Sequence, residues 1–268
     1  MFSPTDLRNI SWKGWAAEML KLIRFEFRKL IRSGSFYICT AILVLLSALT
    51  VYTTKYANEQ LGMITPDSSA LTSLMRALPT STISILLGIF IALYVCEDFA
   101  GGTIRNILTR GYSRFGVYVS KFAVVIVSTV VMSAICCAAS YAIGIYVWGS
   151  ADASVGSEQI KTLLYQLALM IAFASVFYTM CSIVQKTGGS IACCVVFPMV
   201  ITILLKLADS ALSEQEIVLS QYWIENLNQS IALIHAESED LHKALAGAGI
   251  YTAASLAIGW LATMKREY

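Results

Sequence analysis

The segment EDFAGGTIRNILTRGYSRFGVYVSK, residues 97–121, is a polar and basic interruption between two long apolar runs. The chain contains six such runs, each close to the roughly 20 residues with which an α-helix crosses a bilayer. They lie at 36–53, 80–96, 122–148, 163–184, 190–207 and 246–264. With 57% apolar and only 13% charged residues, the composition is far from that of a soluble domain. The sequence therefore predicts an all-α integral membrane protein with six transmembrane helices.

Basic residues are distributed unequally between the two sides that six spans define. With the N-terminus inside, 14 of the 19 Lys and Arg residues and only 6 of the 17 acidic residues fall on the cytoplasmic side. Basic residues near span ends accumulate on that side of membrane proteins. We therefore expect a multi-pass protein of the plasma membrane with both termini in the cytoplasm, a cytoplasmic loop at 97–121 and an external loop at 208–245.

The spans carry few groups that could drive transport or catalysis by themselves. Ionisable residues inside a span mark ion pathways or reaction sites, and here Glu97, Asp98 and Lys206 lie only at span ends. The seven cysteines form no CxxC pair, and no GxxxxGK[ST] sequence for binding ATP is present. We expect no buried charge, no catalytic or metal site, and no ATP bound by this chain. Uphill transport would then need energy from a partner.

The segment before the first span has the periodicity of an amphipathic helix. Between Lys13 and Arg32, winding at about 100° per residue separates an apolar face from a basic face. The apolar face contains Ala16, Met19, Leu20, Ile23, Phe27, Leu30 and Ile31, and the basic face contains Lys21, Arg24, Arg28, Lys29 and Arg32. Such helices lie in the inner headgroup layer. Residues 1–35 are therefore predicted as a cytoplasmic segment whose helix either only anchors the domain at 36–268 or also contacts a docked partner.

A short helix is predicted inside the 97–121 segment. Gly101 and Gly102 end the preceding span, and Thr103 is placed to cap a new helix. Gly111 is placed to stop it. Its aliphatic residues share one face and its basic residues lie elsewhere, with Ile104, Ile107 and Leu108 opposed to Arg105 and Arg110. So short a helix forms no core alone, so its aliphatic face is predicted to enter a groove in the membrane surface or in another protein. The alternative is a solvated basic loop.

These features resemble the permease subunits of type 2 ABC exporters. The resemblance covers the whole layout: a basic elbow helix entering the first span, six spans with both ends inside, and a cytoplasmic helix between spans 2 and 3. Its local matches are RFEFRKLIRSGSFY at 24–37, then ED and GTIRNILTRGYSR within 97–114, followed by Lys121.

By this resemblance the short helix is a coupling helix, and the chain pairs with a second copy or a closely related permease. It would contact one ATP-binding cassette ATPase per protomer, and that subunit, not this chain, would bind ATP and Mg²⁺. The implied contact residues are Thr103, Ile104, Arg105, Ile107, Leu108, Arg110 and Arg114. Glu97, Asp98 and Lys121 would stiffen the joint. We expect the two carboxylates to pair with Arg105, Arg110 or a partner's arginine. The alternative for either one is a solvated charge at a helix terminus.

The external segment 208–245 is acidic, and its apolar residues recur at near-helical spacing. These residues are Ile217, Ile224, Leu227, Ile231 and Ile234. In the family that the chain resembles, this region often holds re-entrant half-helices. The local charge instead predicts an exposed amphipathic cap at the outer surface. The alternatives are a segment that gates the exit and one that receives a cationic substrate.

The resemblance and the apolar spans together predict the function. A path without buried charge favours an amphipathic or hydrophobic substrate, and by analogy with family members in Gram-positive bacteria this would be an antimicrobial or toxic peptide. Membrane lipid is an expected partner and nucleic acid is not. Two alternatives are a membrane sensor or scaffold that does not transport, and a secondary transporter. The latter usually shows internal repeats and charges at the membrane midplane, which the sequence lacks.

Overall fold

The computed structural model describes residues 12–61, 69–79, 81–149, 155–212, 218–232 and 238–264. Within these ranges the chain forms ten α-helices. They are α1 (Trp12–Arg32), α2 (Gly34–Leu61), α3 (Ala70–Met75), α4 (Ser81–Ala100), α5 (Thr103–Thr109), α6 (Arg114–Trp148), α7 (Ser157–Val184), α8 (Thr187–Ala211), α9 (Ile224–Ser230) and α10 (Ser238–Met264).

Six of these helices, α2, α4, α6, α7, α8 and α10, are long and apolar enough to cross a membrane. The described ranges contain no β-strand, so the prediction of an all-α membrane protein with six spans is confirmed. The helices run beyond the apolar runs at several ends. The longest, α6, has 35 residues and is therefore about 52 Å long. Lys121, predicted near the boundary of the third span, lies inside this helix.

The helix bundle has two ends that carry different elements. At one end the Cys96 thiol of α4 donates to Ser190 Oγ of α8 over 3.1 Å. At the same end the Tyr118 hydroxyl of α6 lies 3.5 Å from the Leu256 carbonyl of α10. This end also holds α5, and we call it the α5 end. At the other end the Gln166 amide of α7 donates to the Met75 carbonyl of α3 over 2.9 Å. We call it the α3 end.

Helix α7 packs closely along α10 through hydroxyl groups and small residues. The Thr179 hydroxyl of α7 donates to the Ser255 carbonyl of α10 over 2.8 Å, and Ser255 Oγ lies 2.8 Å from Ser175 Oγ of α7. A Cβ atom on Gly259 would lie only 2.9 Å from Thr179 Oγ1. In lipid, helices associate through such close approach and interhelical hydrogen bonds, because the surrounding acyl chains are as apolar as the helices. These contacts therefore hold α10 against the bundle.

The described part of the segment after α8 is amphipathic, with one buried face and with Val218, Tyr222 and Ser230 exposed, so the prediction of an exposed cap is wrong only for its apolar face. A 3₁₀ turn at Ser220–Tyr222 leads into α9, and Trp223, Ile224, Leu227 and Ile231 are all buried. The predicted spacing does place Ile224, Leu227 and Ile231 on one face. That face packs against α7 and α10 because these helices offer apolar partners.

Aromatic rings surround Trp223 in this position. Its ring lies 6.2 Å from Phe173, 6.1 Å from Phe197 and 6.0 Å from Tyr251, each in an edge-to-face arrangement. Edge-to-face pairs at this spacing are favourable because positive ring edges meet negative ring faces. The other two residues of the predicted apolar set, Ile217 and Ile234, lie outside the described residues.

Candidate functional site

Four ionisable side chains meet in the interior where α1, α4 and α6 come together at the α5 end. Glu26 and Lys29 belong to α1, Asp98 to α4 and Lys121 to α6. The Lys121 ammonium lies 3.0 Å from Glu26 Oε1 and also pairs with Asp98, whose other carboxylate oxygen pairs with Lys29. The side chains of Glu26, Asp98 and Lys121 are 1%, 3% and 3% exposed, and that of Lys29 is 22% exposed. We call these four residues the ion cluster.

Tyr94 and Glu97 of α4 border the ion cluster. The Tyr94 hydroxyl lies 2.9 Å from Glu26 Oε2, and the Lys29 ammonium lies 5.0 Å from the centre of the Tyr94 ring. A cation over an aromatic face is attracted by the ring quadrupole. Glu97 approaches Lys29 to 3.6 Å but is 66% exposed, so its pairing is screened by solvent. The buried carboxylate of Glu26 thus has both an ammonium and a hydroxyl partner.

The charges of the ion cluster balance, since two carboxylates face two ammonium groups. Removing one partner of a buried ion pair typically destabilises a protein by about 3–5 kcal/mol, because the other charge is left uncompensated. Here every buried charge has an opposite neighbour within direct contact. The ion cluster therefore fixes α1 to α4 and α6, whereas a helix held only by lipid could shift along the membrane surface.

The stripe of α1 that meets the bundle consists of Leu22, Glu26, Lys29 and Leu30. Leu22, Glu26 and Leu30 are buried. The assignment of Lys29 to the exposed basic face is wrong, because its ammonium turns inward to Asp98. The other members of that face, Lys21, Arg24, Arg28 and Arg32, are exposed.

The predicted apolar face of α1 divides into two parts. Leu20, Phe27 and Ile31 are exposed at the protein surface, while Leu30 is buried against the bundle. Met19 and Ile23 are half-buried, and the side chain of Ala16 lies outside the described residues. Helix α1 therefore has three faces, one inward and ionic, one exposed and apolar, and one exposed and basic.

The prediction that the chain buries no charge is wrong, and so is the predicted pairing of Asp98. Asp98 pairs with Lys29 and Lys121 rather than with Arg105 or Arg110, and Glu97 also pairs with Lys29. The physical reason is that α4 continues to Ala100, which keeps Asp98 on a helical face towards α1 and α6. The chain turns away only after this helix ends.

Sequence reasoning missed Glu26 and Tyr94 as members of this site. A signal for Glu26 was present, because it stands four residues from both Leu22 and Leu30, and residues at this spacing share a helix face. An acidic residue in the middle of an apolar stripe of a basic helix indicates a buried partner. Tyr94 stands four residues before Asp98 on α4 and shares its face in the same way.

Helix α5 is delimited by two glycines with left-handed backbone conformations. Gly102, with φ of 63°, is the N-cap, and Gly111, with φ of 89°, follows the helix. Such φ values favour glycine because it lacks a Cβ atom. The prediction that Gly111 ends the helix is confirmed. The prediction that Thr103 is the cap is wrong, because Thr103 is already the first helical residue.

The aliphatic face of α5 packs on the chain itself. Ile104 is buried, and Ile104 and Leu108 line a small cavity together with Tyr118 and Lys121. Ile107 is half-buried. The prediction that this face requires a groove outside the chain is therefore wrong for Ile104. Lys121 borders the same cavity, so this cavity separates the aliphatic face of α5 from the ion cluster.

The opposite face of α5 is polar and points away from the bundle. Its residues Arg105, Asn106, Thr109 and Arg110 are all exposed, as is Arg114 at the start of α6. Ser113 caps α6, accepting a hydrogen bond from the Gly116 backbone N–H over 3.0 Å. We call Arg105, Asn106, Thr109 and Arg110 the α5 polar face. It is positively charged, because it includes two arginines and α5 contains no acidic residue.

A comparison with protein-family models identifies the family. Residues 22–209 match the model described as ABC-2 family transporter protein, a range that runs from the inward stripe of α1 to the end of α8 and includes the whole ion cluster. The chain belongs to this ABC-2 family. A comparison with the curated proteins found no match. As a member, the chain is the membrane permease subunit of an ABC transporter, and such permeases act with an ABC ATPase.

The described part of this ABC-2 permease offers no evident metal centre. No three His, Cys, Asp or Glu side chains come together there in a way that could hold a metal ion. All seven cysteines lie within the described ranges and are free thiols. The charged site of the permease is thus made of ion pairs between helices.

Proposed function

We propose that this chain is the permease of an ATP-driven exporter that moves an amphipathic substrate, most consistently a peptide, out of a bacterial cell. The α5 end faces the cytoplasm in this proposal, with both termini on the same side. The excess of basic residues assigned to that side supports this orientation. ATP and Mg²⁺ are bound by the partner ATPase.

The α5 polar face is the proposed docking surface for the ATPase. It projects from the bundle, it is basic, and it sits on a helix held at both ends by glycine turns. Its buried aliphatic side keeps α5 seated on α4 and α6 during docking. The elbow residues Lys21, Arg24, Arg28 and Arg32 lie at the same end and extend this basic surface towards anionic lipid.

The observation that carries the coupling proposal is the ion cluster beside α5. The ATPase closes on ATP and displaces α5. This displacement is transmitted to the start of α6 and then, through the ion pairs of Lys121, to α4 and α1. Buried ion pairs resist separation because each lost partner leaves an uncompensated charge. The three helices would then move as one rigid body, which is how domain rotation changes the side to which a transport path opens.

A second permease copy, or a closely related one, is proposed to complete the path. Helix α8 supports this, because many of its apolar side chains are exposed at the protein surface: Val196, Met199, Val200, Ile203, Leu204 and Leu207. A facing permease would cover this side and enclose an apolar route between the two halves. An apolar route suits an amphipathic or hydrophobic substrate better than a hydrophilic ion.

The secondary-transporter alternative is less well supported by the position of the buried charges. Asp98 lies close to the end of α4, and Lys121 lies near the start of α6. Ion-coupled transporters place such groups near the middle of the bilayer, where the substrate binds. The ion cluster therefore suits a mechanical joint better than an ion pathway.

The test is co-purification with the ATP-binding cassette ATPase, whose gene we expect to lie beside the gene for this chain. Replacing both Arg105→Glu and Arg110→Glu reverses the charge of the α5 polar face without touching its buried side. We expect at least a tenfold loss of ATPase recovered per permease, because like charges now oppose the docking.

Lys161→Glu is the matched control, since Lys161 is 63% exposed near the start of α7, at the α3 end. It should leave ATPase recovery unchanged. Full recovery with the doubly reversed variant, at normal membrane insertion, would refute docking through α5.

A further inference from the structure

The outer surface of α1 carries positive charge that no described carboxylate neutralises. Its exposed cations are Lys21, Arg24, Arg28 and Arg32, and none of them pairs with an acidic side chain among the described residues. The three arginines follow one another at intervals of four residues, so they lie along one side of the helix about 6 Å apart. The described acidic side chain of α1, Glu26, is buried in the ion cluster. We call Arg24, Arg28 and Arg32 the arginine row.

An exposed apolar face lies beside the arginine row. It consists of Leu20, Phe27 and Ile31, which are 70%, 41% and 52% exposed. Winding α1 at about 100° per residue separates the centres of this face and of the row by about 80°, and both point away from the ion cluster. Arg24 borders the apolar face, because it stands four residues after Leu20 and three before Phe27. Cationic and apolar contacts are therefore available side by side.

The exposed apolar face of α1 continues into the surface of a membrane span. The Tyr37 hydroxyl of α2 donates to the Ile31 carbonyl of α1 over 2.9 Å. Tyr37 and the next residue, Ile38, are 56% and 61% exposed, and α2 is long and apolar enough to cross the membrane. This continuity indicates that the apolar face of α1 borders the acyl chains of lipid, since water would be an unfavourable neighbour for both surfaces.

The arginine row then lies at the level of the lipid phosphates. Helices with a basic and an apolar face bury the apolar one about 5–10 Å into the boundary between headgroups and acyl chains. Guanidinium groups bind phosphate through two parallel hydrogen bonds, and each cation near an anionic surface adds to the attraction. An anionic headgroup is the better partner for this row, because a zwitterionic headgroup brings an ammonium of its own.

The ion cluster keeps both faces of α1 turned outwards. Glu26 is paired with Lys121, and Lys29 is paired with Asp98. Helix α1 therefore cannot rotate to bury its apolar face against the bundle without separating these pairs. A lipid that binds here meets groups that are already oriented, which lowers the cost of ordering them.

We propose that α1 forms a binding site for anionic phospholipid. The arginine row binds the phosphate, and the exposed apolar face contacts the acyl chains. The partner is a phospholipid of the leaflet at the α5 end, because a soluble phosphate ester lacks the acyl part. The inference deepens the proposed function, in which the elbow faces anionic lipid, and it rests on that function only in assigning this leaflet to the cytoplasmic side.

The test offers phosphatidylglycerol and phosphatidylcholine with the same acyl chains, at equal concentration, to the full chain in detergent micelles. Native mass spectrometry counts the molecules of each lipid that stay bound. We expect the unmodified protein to prefer phosphatidylglycerol by about fivefold or more, and Arg24→Gln with Arg28→Gln to lose most of this preference. Arg24→Lys with Arg28→Lys should retain most of it, because the charge remains.

Arg105→Gln with Arg110→Gln is the matched control for this measurement, made without the ATPase. It removes the same charge at the same end, from the α5 polar face, where α5 exposes no aliphatic side chain. It should leave the preference for phosphatidylglycerol unchanged. An equal loss in the two glutamine variants would show that lipid follows total charge, and it would overturn the site, as would equal retention of both lipids by the unmodified protein.

A soluble competitor tests the contribution of the apolar face. Glycerophosphoglycerol is the headgroup of phosphatidylglycerol without acyl chains, and it should fail to displace the bound lipid. Displacement at a concentration equal to that of the lipid would show that the acyl chains contribute nothing and would overturn the proposed site.

The result is separable from ATPase docking. Arg24→Gln with Arg28→Gln should recover the ATPase as the unmodified chain does, because the α5 polar face is intact. Loss of docking in the α5 charge-reversal variant, with an intact preference for phosphatidylglycerol, would reject the coupling proposal alone. Normal docking without any lipid preference would reject the lipid site alone. Micelles have no inner side, so the measurement does not depend on the orientation of the protein.

Discussion

The two ends of this permease satisfy their buried polar groups in different ways. At the α5 end, Glu26, Asp98 and Lys121 are buried and each contacts an opposite charge. Towards the α3 end, the buried Gln166 amide donates to a backbone carbonyl, and three buried side-chain atoms lack a partner among the described residues, namely Gln166 Oε1, Trp223 Nε1 and Asn228 Oδ1. Buried groups without partners are rare in proteins and mark places where water, ligand or another conformation completes the pairing. The α5 end is thus built as a fixed joint, and the α3 end retains groups that can change partners.

The largest effect should come from breaking the joint with Lys121→Met. This change leaves two carboxylates, Glu26 and Asp98, with Lys29 as their ammonium partner in the ion cluster. The free energy of unfolding should fall by about 3–5 kcal/mol, because a buried charge is left uncompensated. Titration with sodium dodecyl sulfate in mixed micelles measures this loss.

A second substitution shows whether charge balance is the cause. In Lys121→Met with Glu26→Gln, the Asp98 carboxylate keeps its Lys29 partner and no buried carboxylate is left without an ammonium. About 1–3 kcal/mol of the loss should return, as expected for coupled neighbours. A double variant that is no more stable than Lys121→Met would mean that packing, and not charge, holds α1 in place.

A smaller effect is expected at the α3 end, where shape matters more than polarity. Trp223→Ala should lower the free energy of unfolding by roughly 3 kcal/mol, since it leaves a cavity among three aromatic rings. Trp223→Phe should cost less than about 1.5 kcal/mol, because it keeps an aromatic ring and loses no hydrogen bond from Nε1. Equal losses in the two variants would show that Nε1 has a partner that matters, and would weaken the contrast between the ends.

The smallest effect should come from Glu97→Gln at the rim of the ion cluster. Glu97 is 66% exposed and 3.6 Å from Lys29, and exposed pairs contribute about 0–1 kcal/mol. In the same titration, the free energy of unfolding of this variant should therefore be close to that of the unmodified protein. The difference between the two should shrink further in high salt. A loss of unfolding free energy comparable to that of Lys121→Met would show that the exposed Glu97 also contributes to holding α1 in place.

The features that the sequence predicts well are those encoded locally. Six apolar runs predict six spans, because a bilayer imposes length and composition on each span separately. The short helix was found between two glycines for the same reason, since backbone preferences act within a few residues. The match to the ABC-2 family agrees with the layout inferred from these signals.

The features that could not be predicted depend on distant pairs. Glu26 and Lys121 belong to different helices, and nothing in the local pattern of either residue identifies the other. The acidic composition of 208–245 predicted an exposed cap, but contacts with α7 and α10 bury Trp223 and the apolar face of α9. In both cases tertiary partners, rather than sequence neighbours, decide the burial.

The ion cluster also sets an order of assembly. Because translation adds about 5–20 residues per second, Glu26 emerges roughly 5–20 s before Lys121, with two spans made in between. During that interval α1 has no ammonium from α6 to balance its carboxylate, so its inward stripe gains nothing by leaving water and the headgroup layer. The elbow is therefore synthesised before α4 and α6 but completes its docking only after α6 has been made.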